Sequence, residues 1–215
     1  MIAILQFLGT NCEYDVLHVY KNLLNKNAQI IWHKDNALPY DTKLVIIPGG
    51  FSYGDYLRCG AIAKISPIMK DVIKYANNGG IVLGICNGFQ ILIESKLLPG
   101  NLIRNNTLTF QSNLEEINVD SNANKLLQSY SLNETIKIPI ANAQGCYFVD
   151  SKQEEELINN NQILLSYKNN INGSKIAAIC NKEKNIFGMM PHPERACEKI
   201  LGSEDGLLML RDICE

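Results

Sequence analysis

Residues Ile81 to Gln90 read Ile-Val-Leu-Gly-Ile-Cys-Asn-Gly-Phe-Gln, and this stretch decides the fold. The apolar run Ile81–Leu83 is typical of a strand buried in a parallel sheet, and apolar residues at helical spacing follow it. Cys86 stands where the strand changes into the helix, with Gly84 and Gly88 two residues to either side. Because a sharp strand-to-helix turn crowds the backbone, these glycines indicate a nucleophile elbow that carries cysteine instead of serine.

The elbow gives Cys86 the surroundings of a nucleophile. A thiol at a helix N-terminus lies beside unpaired N–H groups and the positive end of the helix dipole, and both favour the thiolate. The backbone N–H of Asn87 should point into the space above the sulfur, where it can form half of an oxyanion hole. The alternative is a buried cysteine that acts as a small hydrophobic residue, as most cysteines do. The flanking glycines favour the nucleophile.

Length, charge and cysteine usage restrict the class of protein. The 215 residues, 46% of them hydrophobic, fit one globular domain spanning residues 1–215. The net charge of -2 argues against a nucleic-acid or membrane surface, and no apolar stretch is long enough to span a bilayer. The seven scattered cysteines lack C-x-x-C spacing, which argues against a disulfide scaffold or a metal site and for the cytoplasm. No glycine-rich phosphate motif is present, so we expect no nucleotide cofactor.

Strands and helices alternate in the N-terminal half of the chain. The predicted strands before the elbow are Met1–Phe7, Ala28–Trp32 and Leu44–Ile47. The predicted helices between them are Tyr14–Leu24 and Ala61–Ala76, with a break or kink near Pro67. This alternation predicts an α/β fold with an open, mostly parallel, doubly wound sheet.

A β-rich region follows between Asn101 and Val149. Its short strands in series, Leu108–Phe110 among them, predict a small antiparallel β extension of the main sheet. Ligands of open α/β sheets bind at the carboxyl ends of the strands. We therefore expect Gly49-Gly50, which follow the third strand, and Cys86 to lie at one edge, at neighbouring strand ends.

A second chemical motif is Pro191-His192-Pro193-Glu194, directly after the predicted strand Ile186–Met190. The prolines predict a stiff, extended ribbon in which His192 and Glu194 project from one face. A carboxylate can then hold one imidazole nitrogen while the other faces a nucleophile, which is the base and orienting acid of a triad. A loop histidine with a local capping role is the alternative, and the Cys86 elbow favours the triad.

Paired glycines follow the third predicted strand in Pro48-Gly49-Gly50. Without side chains, they let a backbone N–H approach a ligand closely. We predict that the Gly50 N–H is the second oxyanion donor. An ordinary turn at the end of a strand is the alternative for a bare Gly-Gly pair.

These motifs together resemble a known family. Gly84–Gln90 with Pro191–Glu194 resembles the class I, or triad, glutamine amidotransferases. Gly9–Glu13 and Pro48–Arg58 narrow the resemblance, which runs nearly end to end, to the glutaminase subunits of phosphoribosylformylglycinamidine (FGAM) synthase. One stretch departs from the family: Asn142–Gly145 reads Asn-Ala-Gln-Gly where we expect a His-Gly-Glu-Gly-like sequence, so two amides replace two ionisable groups.

The resemblance implies a flavodoxin-like fold and a division of roles. Cys86 would be the nucleophile, His192 the base and Glu194 the orienting acid, while Gly49 and Gln90 would contact the glutamine substrate. It also implies that this chain binds no cofactor. Ammonia would pass to a larger synthetase subunit that uses ATP and Mg²⁺, and a small additional subunit would bridge the two.

Two other functions remain open at this point. Another elbow-cysteine α/β hydrolase, of the peptidase or deglycase kind, would share the Gly-x-Cys-x-Gly turn without needing the Pro-His-Pro-Glu motif. A non-catalytic module that only stabilises a partner subunit would not need an intact set of cysteine, histidine and glutamate. Ammonia release from glutamine separates the first from an amidotransferase, and labelling of the thiol by a glutamine-like electrophile tests the second.

Overall fold

The protein is built on one large sheet, and the computed structural model describes residues 1–215. The strands are β1 (Ile2–Gln6), β2 (Ala28–Trp32), β3 (Leu44–Ile47), β4 (Ile81–Ile85), β5 (Asn101–Ile103), β6 (Gln111–Val119), β7 (Thr135–Asn142), β8 (Cys146–Phe148), β9 (Ile163–Tyr167), β10 (Ile176–Cys180) and β11 (Ile186–Met189). The α-helices are α1 (Glu13–His18), α2 (Pro67–Asn77), α3 (Asn87–Glu94), α4 (Ser151–Asn159) and α5 (Leu207–Asp212).

The large sheet has nine strands in the order β2-β1-β3-β4-β11-β10-β9-β6-β7. The first five are parallel to one another, and the last four are added antiparallel at one side. β5 and β8 form a separate antiparallel pair. The predicted α/β class and antiparallel extension are therefore confirmed, and most of the extension continues the main sheet.

The order of the parallel strands explains the double winding. The chain moves from β1 to β2 in one direction across the sheet, and from β3 to β4 in the other. Because parallel crossovers are right-handed, helices on connections that run in opposite directions cover opposite faces. α1 and α2 therefore lie on different faces, and the direction reverses between β1 and β3, where ligand sites form in such sheets.

Helix α3 packs very closely on the sheet because three glycines remove side chains at the contact. A Cβ atom on Gly84 would meet the backbone of Gly88, and one on Gly88 would overlap the carbonyl oxygen of Ile47. A Cβ atom on Gly188, in the neighbouring strand β11, would overlap the ring of Phe89. The crowding that the elbow sequence predicts is thus present on both sides of Cys86.

One predicted helix is divided in the structure, and one predicted strand is wrong. The break predicted near Pro67 is present, because proline holds Ser66 in extended conformation (ψ 145°); helix α2 begins at Pro67, and a 3₁₀ turn at Ala63–Ile65 precedes it. Leu108–Phe110 lies in a loop and forms no strand.

The core is a single cluster of 55 buried residues. None of the helices is long and apolar enough to cross a membrane.

Candidate active site at the carboxyl edge of the sheet

The predicted site residues converge because three neighbouring strands end together. β4 pairs with β3 on one side and with β11 on the other, all parallel. Gly50 follows β3, Cys86 directly follows β4, and His192 follows β11. Ile85 and Met189 are partners in the β4–β11 register, so the elbow and the histidine leave the sheet at the same level. Residues 106 positions apart in sequence therefore meet at one edge.

Cys86 has the strained backbone of an elbow. Its φ of 51° and ψ of -103° are unusual for a residue with a side chain. Such angles persist only where the surroundings enforce them, and the packing of α3 does so here. The thiol is 5% exposed and donates a hydrogen bond to the carbonyl of Ala141 at 3.6 Å. Cys86 and Ala141 both line a cavity of about 230 Å³.

His192 and Glu194 form a tight buried pair. Nδ1 of His192 lies 2.6 Å from Oε1 of Glu194, and both side chains are almost fully buried. With the carboxylate as acceptor, Nδ1 carries the proton and Nε2 of the neutral ring is free to accept one. Nε2 is buried without a hydrogen-bond partner, and His192 lines the same cavity as Cys86. The pair thus has the geometry of a base with its orienting acid.

The backbone that produces this pair differs from the prediction. Pro193–Arg195 forms a 3₁₀ turn instead of an extended ribbon. The turn still brings residues 192 and 194 together, because the carboxylate of Glu194 reaches Nδ1 of the ring. The backbone N–H of His192 donates to Pro139 O of β7 at 2.8 Å, which ties the turn to the antiparallel half of the sheet.

The surroundings of His192 favour its protonated form. Burial alone would lower the pKa of the imidazole, but the negative charge of Glu194 and the neighbouring Cys86 and Cys12 outweigh it and raise the pKa well above 6.5. A base with a raised pKa accepts the proton of a thiol more readily. The charge arrangement is therefore suited to activating Cys86.

Sequence reasoning missed a second buried thiol at the site. Cys12, after β1, lies with its Sγ 4.0 Å from Nδ1 of His192, and it accepts a hydrogen bond of 3.1 Å from Nη2 of Arg195. Arg195 also donates to Asp15 at 3.2 Å. Burial raises the pKa of the Cys12 thiol, although its hydrogen bond to His192 acts in the opposite direction. The sequence position of Cys12 could have identified it as a site residue, because it too follows a parallel strand at the carboxyl edge of the sheet.

Of the two predicted oxyanion donors, Gly50 lines the cavity and Asn87 directly follows Cys86. Gly50 lines the cavity and has a φ of 143°, which leaves no room for a side chain beside Thr10 and Asn11. Asn87 is the first residue of α3, so its N–H has no partner within the helix. Gly50 follows β3 and Asn87 opens α3, so the two residues flank the elbow, and their role as oxyanion donors stays a prediction.

Gly49 and Gln90, the two predicted substrate-contact residues, pack against other residues of the site. Gly49 packs behind the histidine, where an added Cβ would lie 2.7 Å from Cε1 of His192 and 3.1 Å from Sγ of Cys12. Gln90 donates to Gln144 O at 3.0 Å and accepts from Asn87 at 2.8 Å, so its amide is already paired. Neither residue lines the cavity that contains Cys86. Their contacts place Gly49 against His192 and Gln90 between Asn87 and Gln144, and their role in substrate binding stays a prediction.

The unusual stretch Asn142–Gly145 is part of the buried amide network. Asn105 Nδ2 donates to Asn142 O at 3.0 Å, and Gly145 N donates to Asn105 Oδ1 at 2.8 Å. Asn105 N also donates to Ala143 O. Oδ1 of Asn142 also accepts from Asn105 Nδ2 at 3.2 Å, so the first of the two unexpected amides takes part in this network.

One group of side chains has ligand types that suit a metal. Ligand atoms of Cys12, His192 and Glu194 lie within 4.8 Å of one another. However, Nδ1 and Oε1 of the last two are occupied by their mutual hydrogen bond. The guanidinium of Arg195 also lies 3.1 Å from the thiol and puts a positive charge at the third ligand. The group fits a charge-balanced hydrogen-bond network better than a cation site.

Comparison with known proteins agrees with this geometry. The family model of the CobB/CobQ-like glutamine amidotransferase domain matches residues 1–204. The chain belongs to this glutamine amidotransferase family. The predicted resemblance is therefore confirmed, and with it the assignment to an enzyme class.

Relatives within this glutamine amidotransferase family match almost end to end. "Phosphoribosylformylglycinamidine synthase subunit PurQ" of Wolinella succinogenes is 59% identical over 215 residues, with 99% of this chain and 98% of that protein covered. The protein of the same name from Sulfurimonas denitrificans is 55% identical, with 98% and 97% covered. A chain in the structure of PurLQS from Thermotoga maritima is 36% identical with a TM-score of 0.89, covering 99% of this chain and 96% of that one.

Proposed function

We propose that this chain is the glutaminase subunit of FGAM synthase. It hydrolyses glutamine to glutamate and ammonia, and it supplies the ammonia to a larger, PurL-like synthetase subunit. That subunit converts formylglycinamide ribonucleotide to the amidine in purine biosynthesis, with a small PurS-like subunit bridging the two. The names and full-length coverage of the PurQ relatives support this, as does the match to a chain of a PurLQS structure.

One observation carries the proposal. Nε2 of His192 is buried and unpartnered in the cavity that Cys86 lines, while Nδ1 is held by Glu194 at 2.6 Å. A non-catalytic stabilising module has no use for an unpaired buried nitrogen, which costs folding free energy. The arrangement is what acyl transfer through a cysteine requires.

The reaction follows from the positions of these groups. His192 Nε2 takes the proton of Cys86, and the thiolate attacks the side-chain amide carbon of glutamine. The N–H groups of Asn87 and Gly50 stabilise the oxyanion, and one such donor contributes roughly 3–4 kcal/mol in hydrolases. The imidazolium then protonates the departing ammonia and leaves a thioester on Cys86. His192 next removes a proton from water, which attacks the thioester, releases glutamate and restores the thiol.

The same proposal covers cofactors, domain organisation and location. Residues 1–215 act as one glutamine amidotransferase domain that binds no cofactor of its own. ATP and Mg²⁺ serve the synthetase subunit. The protein works in the cytoplasm, where thiols stay reduced, and its seven cysteines are all free.

The test is a glutaminase assay with and without the cognate synthetase and bridging subunits. Cys86→Ala should abolish glutamine-dependent FGAM synthesis and leave ammonia-dependent synthesis intact. Cys146→Ala is the matched control, because Cys146 is equally buried at 5% exposure but does not line the cavity. Glutamine hydrolysis by Cys86→Ala at the wild-type rate would refute the role of the thiol. Failure of the wild-type complex to use glutamine would refute the function itself.

A further inference from the structure

Arg195 is the only arginine or lysine that lines the active-site cavity, and the catalytic steps proposed above do not use it. It directly follows Glu194 in the 3₁₀ turn, where its backbone N–H donates to the carbonyl of His192 at 3.1 Å. Its Nε donates to Oδ2 of Asp15 at 3.2 Å, and its Nη2 donates to Sγ of Cys12 at 3.1 Å. These contacts with α1 and with the segment after β1 fix the guanidinium beside the catalytic pair.

Arg195 is close enough to His192 to act on the charge of its ring. Sγ of Cys12 lies 4.0 Å from Nδ1 of His192 and 3.1 Å from Nη2 of Arg195, so the sum of these distances limits the separation of the two nitrogens to about 7 Å. The histidine is 2% exposed, and water and salt screen a buried group poorly. A positive charge at this distance makes protonation of the ring less favourable.

Among the charged and titratable groups that face His192, Arg195 alone opposes the protonated ring. The others are Glu194 in the same turn, Cys86 between β4 and α3, Cys12 after β1, and Asp15 in α1 behind the guanidinium. Gly49 and Pro139, which also contact the histidine, are uncharged. Since a carboxylate or thiolate stabilises an imidazolium and a guanidinium destabilises it, the ring lies between opposing charges.

The two halves of the reaction place opposite demands on His192. In acylation, the ring takes the proton of Cys86 and passes it to the departing ammonia. In deacylation, the sulfur is bound in a thioester, and the ring must be neutral to remove a proton from water. Glu194, 2.6 Å from Nδ1, favours the protonated ring in both halves. Deacylation therefore needs a fixed positive charge that offsets Glu194 without breaking its hydrogen bond.

We propose that Arg195, held by Asp15 and Cys12, is a positioning residue that limits the basicity of His192 so that the ring can act as the base of deacylation. This inference rests on the proposed function. At about 7 Å and an effective dielectric constant of about 20, Coulomb's law gives a shift of somewhat more than one pH unit, and solvent around the half-exposed guanidinium reduces it to about one.

The first test is an NMR titration of His192 in chains that also carry Cys86→Ala, which lack the thiolate as the acyl-enzyme does. The chain has three histidines, and His192→Gln assigns the resonance. Arg195→Gln should raise the pKa of His192 by about one unit, Arg195→Lys should keep it within about 0.3 unit, and Asp15→Asn should lower it. Arg104→Gln is the control, because it removes the same charge at an exposed residue outside the cavity. Shifts of opposite sign distinguish a charge effect from general disruption of the site.

The second test is the pH profile of glutamine hydrolysis by the reconstituted complex. With Arg195→Gln, the acid limb of kcat should move up by about one pH unit, so kcat below that limb falls about tenfold while KM changes by less than about twofold. Arg195→Lys should restore the wild-type profile, and ammonia-dependent FGAM synthesis should not change.

Two results would overturn the inference. One is a folded Arg195→Gln chain in which His192 titrates as in the parent chain. The other is a raised KM with an unshifted profile, which would assign Arg195 to substrate binding instead. The titration needs no turnover, so a wild-type complex that fails to use glutamine would refute the proposed function separately.

Discussion

Gly49→Ala should disable the enzyme by displacing His192. The added Cβ would lie 2.7 Å from Cε1 of His192 and 3.1 Å from Sγ of Cys12. The ring would have to retreat by about 0.7 Å to restore ordinary contact at 3.4 Å. Because the φ of Gly49 is not positive, alanine fits the backbone and the effect comes from this contact alone.

The expected magnitude follows from that displacement. A misplacement of about 1 Å at a reacting group can cost roughly 100-fold in rate. We therefore expect the kcat for glutamine hydrolysis to fall by about two orders of magnitude. Overpacking of a buried site typically costs about 1–3 kcal/mol of unfolding free energy, so the variant should still fold. Ammonia-dependent FGAM synthesis by the reconstituted complex should not change.

The assay is steady-state glutamine hydrolysis, run beside urea unfolding of each variant. Gly79→Ala is the control, because a Cβ there meets nothing within 4 Å, although its positive φ also carries a conformational cost. That control separates general destabilisation from displacement of the imidazole. Turnover of Gly49→Ala within a factor of three of wild type would refute the assignment of Gly49 as the wall behind His192.

Three further predictions concern the same elements. Glu194→Gln should reduce kcat by as much as about 10⁴-fold, as the acid-to-amide change does in serine triads, because the amide can hold the wrong imidazole tautomer; an unchanged kcat with unchanged KM would contradict the role of the acid. Gly-to-Ala changes in an exposed helix raise the free energy of unfolding by about 1 kcal/mol. Gly88→Ala should instead lower it by about 1–3 kcal/mol, because the added Cβ would overlap the carbonyl oxygen of Ile47. Urea unfolding measures the sign of the change. The raised pKa of His192 means that the folded state holds its proton more tightly than the unfolded state, so the stabilisation is complete below about pH 6.5 and is lost as the pH rises toward the folded-state value. The stability advantage of wild type over His192→Gln should therefore shrink as the pH rises above about 6.5, and a constant or growing difference would argue against a raised pKa.

Much of the chemistry of this protein is visible in short stretches of its sequence. The glycines around Cys86 and the alternation of apolar runs predict the elbow and the α/β class, because local crowding and hydrophobic periodicity are properties of adjacent residues. His192 and Glu194 are likewise predicted as a pair from their spacing. Their pairing survives although the backbone between them is a 3₁₀ turn, since a two-residue separation leaves the carboxylate within reach of the ring.

The tertiary structure alone decided what surrounds these residues. Strand β4 lies between β3 and β11 because segments far apart in the sequence pair with each other, and no local sequence pattern encodes that pairing. The same pairing brings Cys12 beside His192, turns Gly49 into the wall behind the ring, and engages Gln90 with the 142–145 loop. Local sequence determines which groups are available for chemistry, whereas non-local strand order determines which of them meet.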